Sequence, residues 1–276
     1  MLSLKTGTDE LLCELHDRVA VVTLNKPHKK NALGDVLTPA LRQMLASLDE
    51  DERVGCVMIT GAGDAFCAGG DVGGMGSNAP AAQAPQSKQE RVAELVHKQV
   101  TLTLRLHEMS KVTVAALPGA AAGAGLSIAL ACDLRVASRD AFVTTAFGNI
   151  GLSGDYGSSW FLPKIVGIAK AKELFYTSAR VYADEALALG IVNQVYDPAT
   201  FRRDAMAFAH RIAQGPTPVL ARMKQNLQQG QAQSLRDSLV LEAQQLVECM
   251  GAPEAKEAIT AFMQKRPPVF HKPTEP

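Results

Sequence analysis

The sequence predicts an α/β fold. Three observations carry that expectation. Strand-like apolar runs alternate with segments of helical periodicity from the N-terminus to about Tyr196. One run, Val54–Thr60, is apolar almost throughout, as a strand covered on both faces should be. Apolar residues make up 47% of the 276 residues but aromatics only 5%, so the core must be built largely from Ala, Val, Leu and Gly, which let backbones approach closely.

Taken in order, Leu11–Leu15 and Val19–Asn25 flank His16-Asp17-Arg18 and read as a hairpin, which Asn25-Lys26-Pro27 ends. A helix is expected over Gly34–Asp51 and a buried strand over Val54–Thr60. The glycine-rich stretch Gly61–Gly76 reads as loop, and Ser77–Gln89, rich in Ala, Gln and Pro, as a mobile surface loop. Arg91–Met109 reads as a helix with Val92, Leu95, Val96, Val100, Leu104 and Leu106 mostly on one side. Val112–Cys132 is long and uncharged, but Pro118 and its many small residues divide it into a strand (Val112–Leu117), a tight loop and a helix (Gly123–Cys132) rather than a membrane span. Asp133–Ala137 is a further strand. Beyond Ser158 the pattern is helical apart from Ile191–Tyr196, with breaks at Thr217-Pro218 and Ala252-Pro253 and an extended tail after Lys265. No constant internal period is evident. The chain divides into a core, residues 1–197, and a helical C-terminal region, residues 198–276.

Lys plus Arg number 28 and Asp plus Glu 28, so formal charge is zero. Nucleic-acid binders usually carry a basic excess, and this chain has none overall. The five cysteines are scattered and form no C-x-x-C pair, which fits reduced cytoplasmic thiols better than a disulfide framework or a zinc cage. Met1–Glu14 carries three acidic residues and no secretory pattern, so a soluble cytoplasmic location is expected.

Two segments share one design, in which a buried strand runs through a small-residue loop. They are Val54–Asp71 and Val112–Asp133. Peptide N–H groups at such loops and at helix starts point outward and are positively polarised, and two of them converging on one point make an oxyanion hole. Close helix–sheet packing explains each loop equally well when taken alone. A dinucleotide fingerprint competes at Gly123-Ala124-Gly125, but Ile128 stands where Gly or Ala belongs and no suitably placed acidic residue follows.

Taken together, the motifs are far more specific. Asn25-Lys26-Pro27…Asn31-Ala32-Leu33, Phe66-Cys67-Ala68-Gly69-Gly70-Asp71, Gly119 to Gly125 and Ala183-Asp184-Glu185-Ala186…Gly190-Ile191-Val192 occur in that order. This resembles the enoyl-CoA hydratase/isomerase family, the crotonase superfamily, from about Val19 to Phe270. The resemblance implies repeated β-β-α units in two roughly perpendicular sheets, with C-terminal helices that mediate trimerisation, as a homotrimer or a hexamer. It implies an acyl-CoA thioester substrate whose carbonyl oxygen is held by the N–H groups of Gly70 and Ala124. It implies no metal or redox cofactor, since CoA arrives with the substrate.

The family's hydratases use two glutamates. The matching positions here are Ser127 and Phe147, neither of which moves a proton at neutral pH. One carboxylate remains nearby, Asp155 in Ile150-Gly151-Leu152-Ser153-Gly154-Asp155-Tyr156-Gly157. This stretch, with Phe147, Trp160 and Leu162-Pro163, most resembles the ring-epoxide/oxepin (1,2-epoxyphenylacetyl-CoA) isomerase and enoyl-CoA isomerase branch, where an aspartate at this position is catalytic. Its bland alternative is an N-cap for the following helix. The family's 4-chlorobenzoyl-CoA dehalogenases also place an aspartate here, with a histidine at the position of Val100 and a tryptophan at that of Phe147; His97 lies almost a turn from Val100. Within the resemblance, Ala68, Asp71 and Tyr156 line the substrate site, and Lys29, Lys30 and Lys265 are candidates for the CoA phosphates and nucleotide. Trp160 reads as core. The expected activity is an acyl-CoA isomerase with Asp155 as acid/base; a hydratase with non-standard residues and a silent acyl-CoA-binding scaffold are the alternatives.

Overall fold

A computed structural model of the chain describes residues 1–71 and 86–271. Seven strands form the main sheet: β1 (Leu2–Leu4), β2 (Leu11–His16), β3 (Val19–Leu24), β4 (Cys56–Gly61), β6 (Val112–Leu117), β8 (Leu134–Ser138) and β11 (Gln194–Tyr196), hydrogen-bonded in that order. Four short strands form a second sheet in the order β10 (Val181–Tyr182), β9 (Phe142–Thr144), β7 (Ala120–Ala122) and β5 (Ala65–Cys67). β4 then β5, β6 then β7, and β8 then β9 each place one strand in the main sheet and the next in the small one. β4, β6 and β8 are parallel neighbours, as are β5, β7 and β9. The chain thus winds as successive β-β-α turns.

The central strands β3, β4, β6 and β8 are buried on both faces, and strand alternation sorts their residues between two cores. Val57 and Ile59 join the large core with Ala20, Val22, Leu24 and Ala115, whereas Cys56 and Met58 join a second core with Val19, Val21 and Val114. This is why Val54–Thr60 shows no polar face. Helix α1 (Leu37–Glu50) contributes Leu37, Leu41, Leu45 and Leu48 to the large core at near-helical spacing. Helix α7 (Phe201–Ala213) covers the other face with Phe201, Ala205, Ala209 and Ala213.

The structure departs from the sequence reading in several places. α1 starts at Leu37, not Gly34, because the backbone of Leu33 pairs with the first glycine loop in a bridge to Gly70. The glycine-rich loops contain β5 and β7, three-residue strands too short to show a period. The main-sheet strand expected over Ile191–Tyr196 is confined to Gln194–Tyr196. The helix expected from Arg91 begins at Lys88, fixed by a Ser87–Glu90 capping box. It runs as α2 (Lys88–Gln99), widens into a π-turn at Val100–Leu104, and ends as α3 (Arg105–Glu108). Its apolar stripe is not buried: Val92, Val96 and Val100 are 53%, 51% and 45% exposed, while Leu102 and Leu106 reach the core. The π-turn changes the helical phase between these two sets. Most of the loop expected over Ser77–Gln89 lies outside the described residues.

Helix α4 (Ala124–Ala131) is buried throughout. After it come α5 (Ser158–Thr177), kinked at Gly167, and α6 (Ala183–Ala188). Past α7 the chain forms α8 (Thr217–Gly230), α9 (Leu235–Gly251) and α10 (Pro253–Met263). Lys224 ties α8 to the sheet, with its buried Nζ 2.9 Å from an Asp133 carboxylate that also accepts from the Thr113 N–H. Among the described residues no helix is long and apolar enough to cross a membrane.

Glycine 125 sets how closely α4 approaches β5. A Cβ there would lie 2.3 Å from the Cys67 carbonyl oxygen and 2.7 Å from its Cβ, both on the strand and not on a flexible tip. Gly125→Ala is therefore expected to destabilise the fold by about 2–3 kcal/mol. Denaturant titration checks this, and an unchanged midpoint would contradict so tight a contact.

Candidate active site

The two glycine loops meet because they leave adjacent parallel strands. Ala65 pairs with Ala120 and Cys67 with Ala121, while Ala122 pairs with Thr144 on the other side. Parallel strands send their C-terminal ends to one edge, so residues 68–70 emerge beside residues 123–124. The contact is close: a Cβ on Gly69 would lie 3.0 Å from the Ala122 carbonyl oxygen and 3.5 Å from the Ala124 nitrogen. Gly69 (φ 96°) and Gly123 (φ 52°) also occupy backbone conformations that favour glycine.

The orientation of the Gly70 peptide follows from its neighbours. Leu33 donates its N–H to Gly69 O at 2.7 Å and accepts from the Asp71 N–H at 2.8 Å. In such a parallel bridge the intervening residue turns its own N–H the other way. Gly70 N–H has no hydrogen bond among the described residues. Ala124 is the first residue of α4, where the N–H has no intrahelical partner. Gly70 and Ala124 line one cavity of about 500 Å³, together with Asp155 and Tyr156. Gly70, Ala124 and Asp155 therefore line the same space, together with three further carboxylate residues, Glu10, Asp35 and Asp71. Ala68 donates its N–H to Lys30 O at 2.9 Å but is not among the residues lining that cavity.

Asn31 holds the N-terminal turn against the first loop. It is fully buried with φ 57°. Its Oδ1 accepts from the Lys26 N–H at 2.9 Å, and its Nδ2 donates to Ala62 O at 2.9 Å and Ala65 O at 2.8 Å. Lys29 Nζ lies 2.7 Å from Asp71 Oδ2, and Lys30 Nζ 2.7 Å from Asp64 Oδ2. Both lysines thus stand beside the first loop, with their heads on carboxylates. Lys265 is exposed just past α10 and is not among the cavity's lining residues. Lys26 and Arg42 do line the cavity; sequence reasoning missed them because neither stands out in a motif as a ligand.

Asp155 does not cap α5. That helix begins at Ser158 with Gly157 at its N-cap position and no side-chain capping bond. Instead Asp155 Oδ1 accepts from Gln99 Nε2 at 2.7 Å and from the Tyr156 N–H at 2.8 Å. Gly154, Tyr156 and Gly157 all have positive φ, giving the tight winding that Ser-Gly-Asp-Tyr-Gly supplies. Burial pushes the Asp155 carboxyl above its ordinary range, against the lowering effect of those two hydrogen bonds. Burial, reinforced by the neighbouring Asp155, pushes the Tyr156 phenol up to about 12.

Ser127 and Phe147, the positions expected to match the hydratase glutamates, both make structural contacts. Ser127, fully buried, has its Oγ 2.8 Å from the Asp155 carbonyl oxygen and so braces the aspartate's loop. Phe147 is buried and stacks on Phe175 at 6.3 Å between centroids. Trp160 is not core: it is 49% exposed and packs edge-on against His107 and Phe161. His97 is not among the residues lining the cavity. Gln99 was also missed, since nothing local marks a glutamine whose partner lies 56 residues away.

Comparison with known proteins places the chain in a family. The family described as Enoyl-CoA hydratase/isomerase matches residues 14–273. The 1,2-epoxyphenylacetyl-CoA isomerase of Escherichia coli (strain K12) is 31% identical over 262 residues, spanning 94% of this chain and 97% of that protein. The 4-chlorobenzoyl coenzyme A dehalogenase-1 of an Arthrobacter species is 33% identical over 249 residues, spanning 90% and 88%. A crystal structure of an enoyl-CoA hydratase from Polaromonas sp. JS666 superposes with TM-score 0.87 at 30% identity, covering 95% of this chain and 99% of that one. The chain belongs to the enoyl-CoA hydratase/isomerase family of the crotonase superfamily, and its two-sheet architecture with C-terminal helices is that family's fold.

Asn31→Ala would deprive the Lys26 N–H and the Ala62 and Ala65 carbonyls of their partner and leave Ala in a left-handed conformation. The expected loss is at least about 3 kcal/mol. A thermal melt within a degree of the parent would contradict the bracing role.

Proposed function

We propose that this chain is an acyl-CoA isomerase that moves a proton through a thioester enolate. The observation that carries the reading is the placement of Asp155, partly buried, in the same cavity as Gly70 and Ala124. The thioester carbonyl oxygen accepts from the two backbone N–H groups. Asp155 removes a proton from one carbon, negative charge moves onto the carbonyl oxygen, and the carboxylic acid returns the proton two carbons away as the double bond shifts. Each backbone donor to the enolate oxygen is worth typically about 3–4 kcal/mol. Raised basicity in a desolvated pocket suits this exchange of roles.

Hydration would need a second group to activate water, and neither Ser127 nor Phe147 offers one. In this reading Lys29, Lys30 and Lys265 meet the CoA phosphates, Ala68, Asp71 and Tyr156 flank the thioester, and no metal or redox group takes part. The relatives described above include an isomerase, a dehalogenase and a hydratase, so the side chains of this site choose among the reactions. The isomerase choice rests on Asp155: of the cavity's other carboxylates, Asp71 and Glu10 pair with Lys29 and Lys26, and Asp35 is exposed. Leu239, Val247, Met250, Ile259 and Phe262 on α9 and α10 are all more than half exposed. Such a surface suits burial between subunits of a homotrimer or hexamer. A cytoplasmic location completes the reading.

Asp155→Asn keeps the side chain's shape and its acceptor toward Gln99. It should lose 3-enoyl-CoA isomerisation by at least about a hundredfold with little change in melting temperature. Full activity in that variant would remove the base from the mechanism. The base works only when deprotonated, so the acid limb of kcat/KM should fall at a higher pH than an ordinary aspartate gives, because burial raises this carboxyl. Hydration of crotonyl-CoA should be negligible beside isomerisation; efficient hydration would mean that other groups replace the two glutamates.

A folded Ala124→Pro protein lacks one donor. It should lose about 3 kcal/mol of transition-state stabilisation while binding of acyl-CoA weakens less. Near-normal turnover would reduce the second loop to a packing element.

A further inference from the structure

Asp155 is held by a residue from a distant part of the chain. Gln99 is the last residue of α2, directly before the π-turn Val100–Leu104. Its Nε2 lies 2.7 Å from Asp155 Oδ1, which also takes the Tyr156 N–H at 2.8 Å. Asp155 Oδ2 has no hydrogen bond among the described residues. A carboxylate oxygen holding two donors is the less basic of the pair, so a proton rests on the other. Gln99 also lines a second cavity of about 290 Å³ walled by Val100, Leu104, His107, Trp160 and Phe161, which Asp155 does not line. Gln99 thus both bonds the carboxylate and lines that space. Single-turn π insertions occur often at functional sites.

We infer that Gln99 is the positioning residue of Asp155: it pins Oδ1 and leaves Oδ2 as the one oxygen that takes and returns the proton. The inference rests on the isomerase reading for its chemistry but not for its geometry. One oxygen then serves both carbons, and the proton removed is largely the proton returned.

The test uses the intact protein and Gln99→Met, which keeps length and removes the donor, with Gln99→Leu as a second variant. Carbon-13 NMR of the aspartate carboxyls, with the Asp155 signal assigned by its loss in Asp155→Asn, reads the carboxyl without any substrate. Loss of a hydrogen bond to the charged form should move the Asp155 titration upward by about one pH unit in both variants, and the acid limb of kcat/KM with it. In deuterated water, the fraction of isomerised product carrying solvent deuterium should rise above that of the parent. A folded variant with an unmoved Asp155 titration overturns the inference. A moved titration in a protein whose parent form isomerises no enoyl-CoA supports Gln99's role and overturns the isomerase reading instead.

Discussion

The site depends on the parallel pairing of β7 with β5 on one side and β9 on the other. Parallel neighbours deliver their C-terminal ends to the same edge of a sheet. Two peptide N–H groups from chain positions 54 residues apart can therefore face one cavity only because Cys67 and Ala121 are strand partners. The pairing has a steric condition. The loops and helices around the small sheet pass within contact distance of its backbone, as Gly119 shows: a Cβ there would lie 1.9 Å from the Asp64 carbonyl oxygen. The poverty in aromatics and the wealth of Gly and Ala in these segments follow from that condition.

A hole built from backbone donors tolerates change around it. Gly70 and Ala124 offer N–H groups whatever side chains surround them, so residues near the reacting carbons vary without dismantling the electrostatic centre. Ser127 and Phe147 illustrate this. One side chain braces the Asp155 loop and the other packs on Phe175. The cavity that Gly70 and Ala124 line also receives Asp155 from a different turn of the chain, itself held by Gln99 and its own following N–H. One fold thus supports different reactions through a few side chains at the cavity wall.

The periphery is less self-contained than the centre. The apolar stripe of α2 and the outer faces of α9 and α10 are exposed in the single chain, although their residues are of core type. Helical amphipathicity says that such a face will be covered but not by what. The central strands of the main sheet, in contrast, have both faces filled from within the chain, by α1 and its neighbours on one side and α7 on the other.

Sequence alone determined the elements that are long or carry strong local chemistry. The β2–β3 hairpin, the buried runs of β4 and β6, the helix after Gly123 and the order of the glycine motifs were legible, because apolar period and turn residues act within a few neighbours. It marked Gly70, Ala124 and Asp155 as well, through motif resemblance. Tertiary structure decided what depends on partners far along the chain. β5, β7, β9 and β10 have two or three residues each and exist only because a neighbouring strand pairs with them. The β-β-α turns show no constant period, since β4 and β6 begin 56 residues apart and β6 and β8 only 22. Whether Asp155 capped a helix or faced the oxyanion loops could not be read locally, because an aspartate before a helix suits either role. Its partners Gln99 and Ser127 come from 56 and 28 residues away, contacts that no window of sequence contains, since a hydrogen bond depends on where folding brings its two ends.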